Sequence, residues 1–288
     1  MKPIDFIYRF DPARTDARRL PEDASAARTA LEEGNRIFSR WVDSCQQEEA
    51  PAEHQKFIVY YDPQDLGLPG PAGAAAKQAP FAVVLGCSDA RVPAEIIFGR
   101  SRNELFVVRI AGNCLSDKCL GSVNFAVNHL GHSIRIVVVL GHTQCGAVAA
   151  TVDTYLEPWS YLEKTTSYAL RAILDQIFVP VRKAARALEK VWGPAIVADP
   201  AYRDALIETA VFVNTAQTAF DLRRALVEIG RQDLAVVYGV FDLLTHRVRV
   251  IPDHRPDTPL SDIHLADAPA DLAAFEALTD LMAQKAFK

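Results

Sequence analysis

Two stretches of this chain echo each other, and they constrain its fold more than any other feature. Phe81-Ala82-Val83-Val84-Leu85 runs into Gly86-Cys87, and Ile134-Arg135-Ile136-Val137-Val138-Val139-Leu140 runs into Gly141-His142. Apolar, β-branched runs of this kind read as strands buried on both faces, as in a parallel sheet. Open α/β sheets bind ligands outside the carboxyl ends of their strands. Cys87 after the first run, and His142 and Cys145 after the second, are therefore aimed at one crevice.

The rest of the chain fits that class. With 288 residues, half of them hydrophobic and 23 % charged, there is material for a large core. The formal net charge of −5 is spread along the chain, and no basic patch with interleaved aromatics marks a nucleic-acid partner. No apolar run is long enough to span a bilayer, and the first residues lack the apolar core of a secretory leader. Five cysteines are too few and odd in number for a disulfide framework, which favours metal binding or packing in a reducing, cytoplasmic setting.

Strands alternating with helices predict βαβ units on a central mixed, mainly parallel β-sheet flanked by helices, an α/β fold with an N-terminal helical arm. Residues 1–23 read as an extended arm and 25–46 as a helix that Gly34-Asn35 threatens to break. A strand-like run, Phe57–Tyr61, sits in a Pro- and Gly-rich stretch with a surface loop over Gly67–Gly73. Helices are expected near 92–98, 120–130, 146–153, 160–192 (interrupted near Pro180), 204–229 and 269–286. Leu105–Ile110 and Leu234–Phe241 read as strands, with Arg247–Ile251 completing a hairpin. The expected organisation is an arm and helix over 1–46, an insertion over 47–80, an α/β core over 81–252, and a linker with a last helix over 253–288.

Two thiolates and one imidazole make a tetrahedral zinc set with one position open. Thiolate softness favours zinc over magnesium or calcium. Singly, a buried Cys is usually a small apolar residue; the convergence of two strand ends carries the metal reading. Cys45, Cys114 and Cys119 lack that context and are assigned to packing. Asp89, two residues beyond Cys87, is placed either to close the metal site or to be held ionised by Arg91 through a paired, charge-assisted contact.

Cys87-Ser88-Asp89-Ala90-Arg91-Val92-Pro93, together with His142-Thr143-Gln144-Cys145-Gly146-Ala147-Val148, resembles the β-class carbonic anhydrase family. Leu31–Phe38, Phe106–Asn113 and Gly239–Leu243 also have family counterparts. The resemblance implies one Zn2+ per chain on Cys87, His142 and Cys145. It implies reversible hydration of carbon dioxide to bicarbonate and a proton by zinc-bound hydroxide, oriented by the Asp89–Arg91 dyad. By motif position it implies that Gln78 hydrogen-bonds substrate, that Phe106 and Phe125 form an apolar wall, and that Gly146 lines the pocket. It also implies a homodimer or dimer-based oligomer with pockets at the interface.

In some members a second bicarbonate sits among Trp, Arg and Tyr. The matching positions here are Val84, Arg109 and Phe241, so that pocket is not expected. His129, His132 and His246 are the candidate proton acceptors. Two alternatives stay open: a carbon disulfide or carbonyl sulfide hydrolase on the same fold, and a non-catalytic zinc- or bicarbonate-binding scaffold. The Asp89–Arg91 pair weighs against the scaffold, which would not need it.

Overall fold

Val83, Val84, Leu85, Val137, Val138 and Val139 carry apolar side chains on both faces of their strands, so those strands need cover on both sides. The computed structural model, which describes residues 4–13, 20–46, 56–68, 75–164, 167–253 and 259–286, supplies that cover with helices. In chain order the elements begin with β1 (Asp5–Arg9), α1 (Ala24–Gln46), β2 (Lys56–Tyr60), β3 (Ala82–Gly86) and α2 (Ala94–Ile97). Then come β4 (Leu105–Arg109), α3 (Asp117–His129), β5 (Ile136–His142), α4 (Gly146–Leu156) and α5 (Tyr161–Lys164). The chain continues through α6 (Tyr168–Trp192), α7 (Tyr202–Glu228), β6 (Ala235–Phe241), β7 (Val248–Arg249), β8 (Ala266–Asp267) and α8 (Leu272–Lys285).

The main sheet has six strands in the order β4-β3-β5-β6-β7, with β8 also on β6. β4, β3, β5 and β6 are mutually parallel, while β7 and β8 run antiparallel to β6. This is the mixed, mainly parallel α/β sheet expected from the sequence. Because β3 leads outward to β4 and β5 leads the other way to β6, the strand order reverses between β3 and β5. That switch point opens the crevice in which such sheets place ligands.

Several local outcomes differ from the expectations, each for a packing reason. The segment read as an arm contains β1, which pairs in parallel with β2 as a small second sheet. Phe6 anchors it, its ring centroid lying 4.9 Å from that of Phe57 and 6.4 Å from that of Trp41. Gly34 and Asn35 do not break α1; both are buried. A Cβ at Gly34 would lie 1.7 Å from the carbonyl oxygen of Phe98, so glycine is what lets α1 approach the end of α2. Asn35 spends its side chain on other segments: its amide donates to the carbonyls of Ile97 and His246, and its oxygen accepts from Val248 N–H at 2.9 Å.

Nor does Pro180 interrupt α6. Leu174, Ile177, Pro180, Val181 and Ala184 form its buried face, and packing against α4, α7 and α8 holds the helix through the proline. β8, at two residues, is too short to leave a periodic signal. Part of the expected surface loop, residues 69–73, lies outside the described residues. Among the described residues no helix is long and apolar enough to cross a membrane.

Replacing Gly34 with alanine forces backbone apart rather than a flexible side chain. Gly34→Ala should lower unfolding stability by roughly 1–3 kcal/mol, the usual scale of core overpacking. A urea midpoint unchanged from wild type would contradict the close approach.

Candidate metal centre

The site begins as backbone. Past the end of β3, the β3–β4 pairing continues, because Ile110 N–H donates to Gly86 O and Ser88 N–H donates to Ile110 O. Arg109, opposite Gly86 in register, clips the same segment with its side chain. Its Nε donates to Cys87 O at 2.9 Å and its terminal nitrogen to Asp89 O. On the neighbouring strand, Gly141 precedes His142 because a Cβ there would lie 2.0 Å from Thr215 Oγ1 on α7. Thr143 N–H donates to Phe241 O, Gln144 takes a left-handed φ of 56°, and Cys145 caps the start of α4. The chain thereby turns His142 and Cys145 toward the same point.

The Sγ atoms of Cys87 and Cys145 and a ring nitrogen of His142 lie within 4.8 Å of one another, and all three residues are buried. His142 Nδ1 sits 2.9 Å from Thr143 O, which assigns the proton to Nδ1 and leaves Nε2 as the lone-pair donor. Nε2 is buried and, among the described residues, has no hydrogen-bond partner. An orphaned imidazole nitrogen beside two thiols is costly unless something binds it. A soft divalent cation satisfies all three donors at once, so the residues fit a metal ion.

Without a cation the two thiols share the burden of one negative charge. A hydrogen bond from Cys145, aided by His142, pushes the Cys87 thiol down against the opposing effect of burial. Cys145 is pushed up by its bond to Cys87 and by burial, while the Ala147 and Val148 amides at the start of α4 act the other way. A bound cation lets both become thiolates, which is why occupancy of such a site releases protons.

Asp89 stands at the rim of this cluster. Arg91 grips it bidentately, Nε to Oδ1 at 2.9 Å and a terminal nitrogen to Oδ2 at 2.7 Å, and the Arg91 amide donates to Oδ1 at 2.9 Å. The Arg91 side chain, followed by its amide and the nearby His142, holds the Asp89 carboxyl well below the usual carboxylate range. Asp89 Oδ2 is 3.9 Å from His142 Nε2, too far for a hydrogen bond. An ionised carboxylate is therefore held beside the donors without joining them.

Of the remaining expected site residues, only Gly146 adjoins the donors. Gln78 and Phe106 share a cavity of about 480 Å³ with Asp65, Arg102 and Asn103, and none of the three donors lines it. Phe106 pairs with Val83, four residues before Cys87, which sets it back by ~13 Å along the strand. Phe125 is half exposed on α3, stacked on His129 with centroids 4.5 Å apart. Gly146 opens α4 beside Cys145, with free space where a Cβ would be. His129 and His132 are exposed, whereas His246 is half-buried between Phe38 and Phe241. Cys114 and Cys119 are buried outside the cluster.

Other residues support the site through contacts that sequence spacing does not show. Thr143 Oγ1 accepts from Leu243 N–H at 3.0 Å and donates to Asp242 Oδ1 at 3.4 Å, and Asp242 forms a buried ion pair with Arg249. Gly112 N–H donates to Cys87 Sγ at 3.3 Å. Each is separated from its partner by 7 to about 100 residues, so spacing could not reveal it.

Fold and site together define a buried Cys-His-Cys cluster that could hold a metal ion, at the switch point of a mainly parallel sheet and bordered by an arginine-held carboxylate. Comparison with known proteins narrows this class. The family profile described as carbonic anhydrase matches residues 82–248, more than half of the chain. Carbonic anhydrase 2 of Mycobacterium tuberculosis is 49 % identical over 81 residues, 28 % of this chain and 38 % of that protein. The carbonic anhydrase of Mycolicibacterium smegmatis is 45 % identical over 87 residues, 30 % of this chain and 41 % of that protein. The chain thus matches only about two fifths of the length of these curated relatives. A solved Coccomyxa β-carbonic anhydrase aligns with 73 % of this chain and 80 % of its own, at 24 % identity and a TM-score of 0.47. The chain belongs to the carbonic anhydrase family, in its β class.

Because the folded state depresses the Asp89 pKa, the pair's contribution to stability is complete above about pH 4 and fades as pH falls toward the folded value. Carboxyl carbon chemical shifts of the metal-free protein should show Asp89 titrating well below 3.9, and Arg91→Ala should return it toward that value. An Asp89 midpoint that Arg91→Ala leaves in place would refute the bidentate hold.

Proposed function

We propose that the chain binds one zinc ion through Cys87, His142 and Cys145 and catalyses the reversible hydration of carbon dioxide to bicarbonate and a proton. The observation that carries this reading is the orphaned, buried His142 Nε2 facing two thiols, with an ionised carboxylate held 3.9 Å away. Family membership supplies the reaction class. Zinc, when bound, supplies the Lewis acidity that brings the pKa of water from 15.7 toward about 7. Two anionic thiolates soften that effect relative to three neutral imidazoles.

The protein's own groups do the rest. Asp89, kept anionic by Arg91, accepts a hydrogen bond from the attacking oxygen and turns a lone pair toward the carbon of carbon dioxide. Arg109 keeps the Cys87–Asp89 backbone in place, so donor and orienting carboxylate stay in fixed relation. One C–O bond forms, one C=O π pair moves onto oxygen as bicarbonate, and the proton leaves through solvent or an exposed group at the mouth.

Gln78 and Phe106 line a cavity that the donors of their own chain do not reach, so their substrate role belongs to a second copy. In this reading a homodimer presents one subunit's Gln78 and Phe106, with Phe125, to the metal centre of the other. Gly146, lacking a side chain, leaves room for the small substrate beside Cys145.

A stopped-flow assay of carbon dioxide hydration between pH 6.5 and 9, a range set about the expected pKa of metal-activated water, tests the reading. The zinc-loaded protein should turn over, a chelator should abolish the activity, and zinc should restore it. Asp89→Asn should lower kcat/KM by roughly 10- to 100-fold, the scale of losing one orienting group. No hydration at any pH with stoichiometric zinc present would end the proposal.

A further inference from the structure

We propose that Asn214 is a positioning residue for Cys87, acting through the backbone of Gly112. Asn214 lies on α7, 3 % exposed, in the buried middle of the helix, which packs against the sheet. Asparagine is a poor helix former, and burying its amide is unfavourable unless it is bonded. Its side-chain amide does find a partner, donating to Gly112 O at 2.9 Å, 102 residues away. Gly112 in turn donates its own N–H to Cys87 Sγ at 3.3 Å. One residue therefore holds the sulfur with its nitrogen while α7 holds its oxygen.

The backbone shows that this arrangement is constrained. Gly112 has a φ of 67°, the left-handed region, and a Cβ there would lie 2.5 Å from Ile177 Cδ1 and 3.3 Å from Ala147 Cβ. Glycine lets the loop turn an N–H inward at the sulfur with α6 and α4 packed around it. Left to itself a glycine is the most mobile residue in the chain, so the aim of that N–H needs an outside anchor. The Asn214 amide is that anchor. An amide N–H on a thiolate draws off part of the sulfur's charge and limits its rotation, the kind of support that tunes a ligand from behind. His142 has its own equivalent in the Thr143 carbonyl.

This inference rests on the reading of Cys87, His142 and Cys145 as zinc ligands, and the test separates the two. Zinc affinity of the full chain is measured by competition with a chromophoric chelator, and the thiolate-to-metal charge-transfer band is recorded after cobalt(II) substitution. Asn214→Leu, similar in volume but without the donor, should weaken zinc binding about 10-fold or more and shift the cobalt band. Val213→Ala, its buried neighbour on α7, removes packing but not the bond, and should leave the band in place and affinity within about threefold.

Wild-type protein that binds no zinc would overturn both readings. Normal wild-type binding with an unchanged affinity and band in Asn214→Leu would overturn this one alone. Should Asn214→Leu fail to fold, wild-type protein labelled with 15N and loaded with 113Cd decides the hydrogen bond directly. A scalar coupling from the Gly112 amide proton to cadmium is expected, and its absence overturns the inference.

Discussion

The parallel register between β3 and β5 is the constraint on which the rest of the site depends. Gly86 pairs with Leu140, so Cys87 emerges level with the last residues of β5 and next to His142. A slip of one residue would turn every side chain of a strand to the opposite face. Here such a slip is opposed by valines and leucines buried on both sides of both strands. Core packing that has nothing to do with metal chemistry therefore sets the spacing of the first and second donors. The third follows from a single turn of chain, in which a left-handed Gln144 brings Cys145 to the start of α4.

Around that spacing the protein arranges charge in two tiers. The inner tier, two thiols and an imidazole nitrogen, is buried and incomplete in its bonding, and so favours a cation. The outer tier is an aspartate that arginine holds ionised, bonded to the rim and not to the donors. The two tiers have opposite requirements. Burial raises the cost of charge on the inner groups, while partial exposure with a bidentate partner stabilises charge on the outer one. A carboxylate drawn further inward would compete for the cation; one without Arg91 would lose its fixed direction.

Much of this could be read before folding. The paired strand ends pointed to Cys87, His142 and Cys145, and the fold does bring their donor atoms together. The Asp89–Arg91 contact joins residues two positions apart, a separation short enough for sequence to show. What could not be read was long-range or conditional. Gly34-Asn35 looked like a helix breaker, yet glycine and asparagine are there for a close approach and for cross-links to two other segments. Gln78 and Phe106 carry motif positions but share a cavity that Cys87, His142 and Cys145 of their own chain do not line.

Sequence alone determined the fold class, the switch-point crevice and which three residues converge at its strand ends. Strand composition, strand-end residues and short spacings are all local properties, and local properties survive without coordinates. Tertiary structure decided how those donors are held: Arg109 on the Cys87–Asp89 backbone, Gly112 on the Cys87 sulfur, Asn214 behind Gly112, and Asp242 behind Thr143. These partners come from different strands and helices, and hydrogen bonds between distant segments have no period or spacing to betray them. Only the packing of α7 against the sheet brings Asn214 within reach of a loop 102 residues earlier.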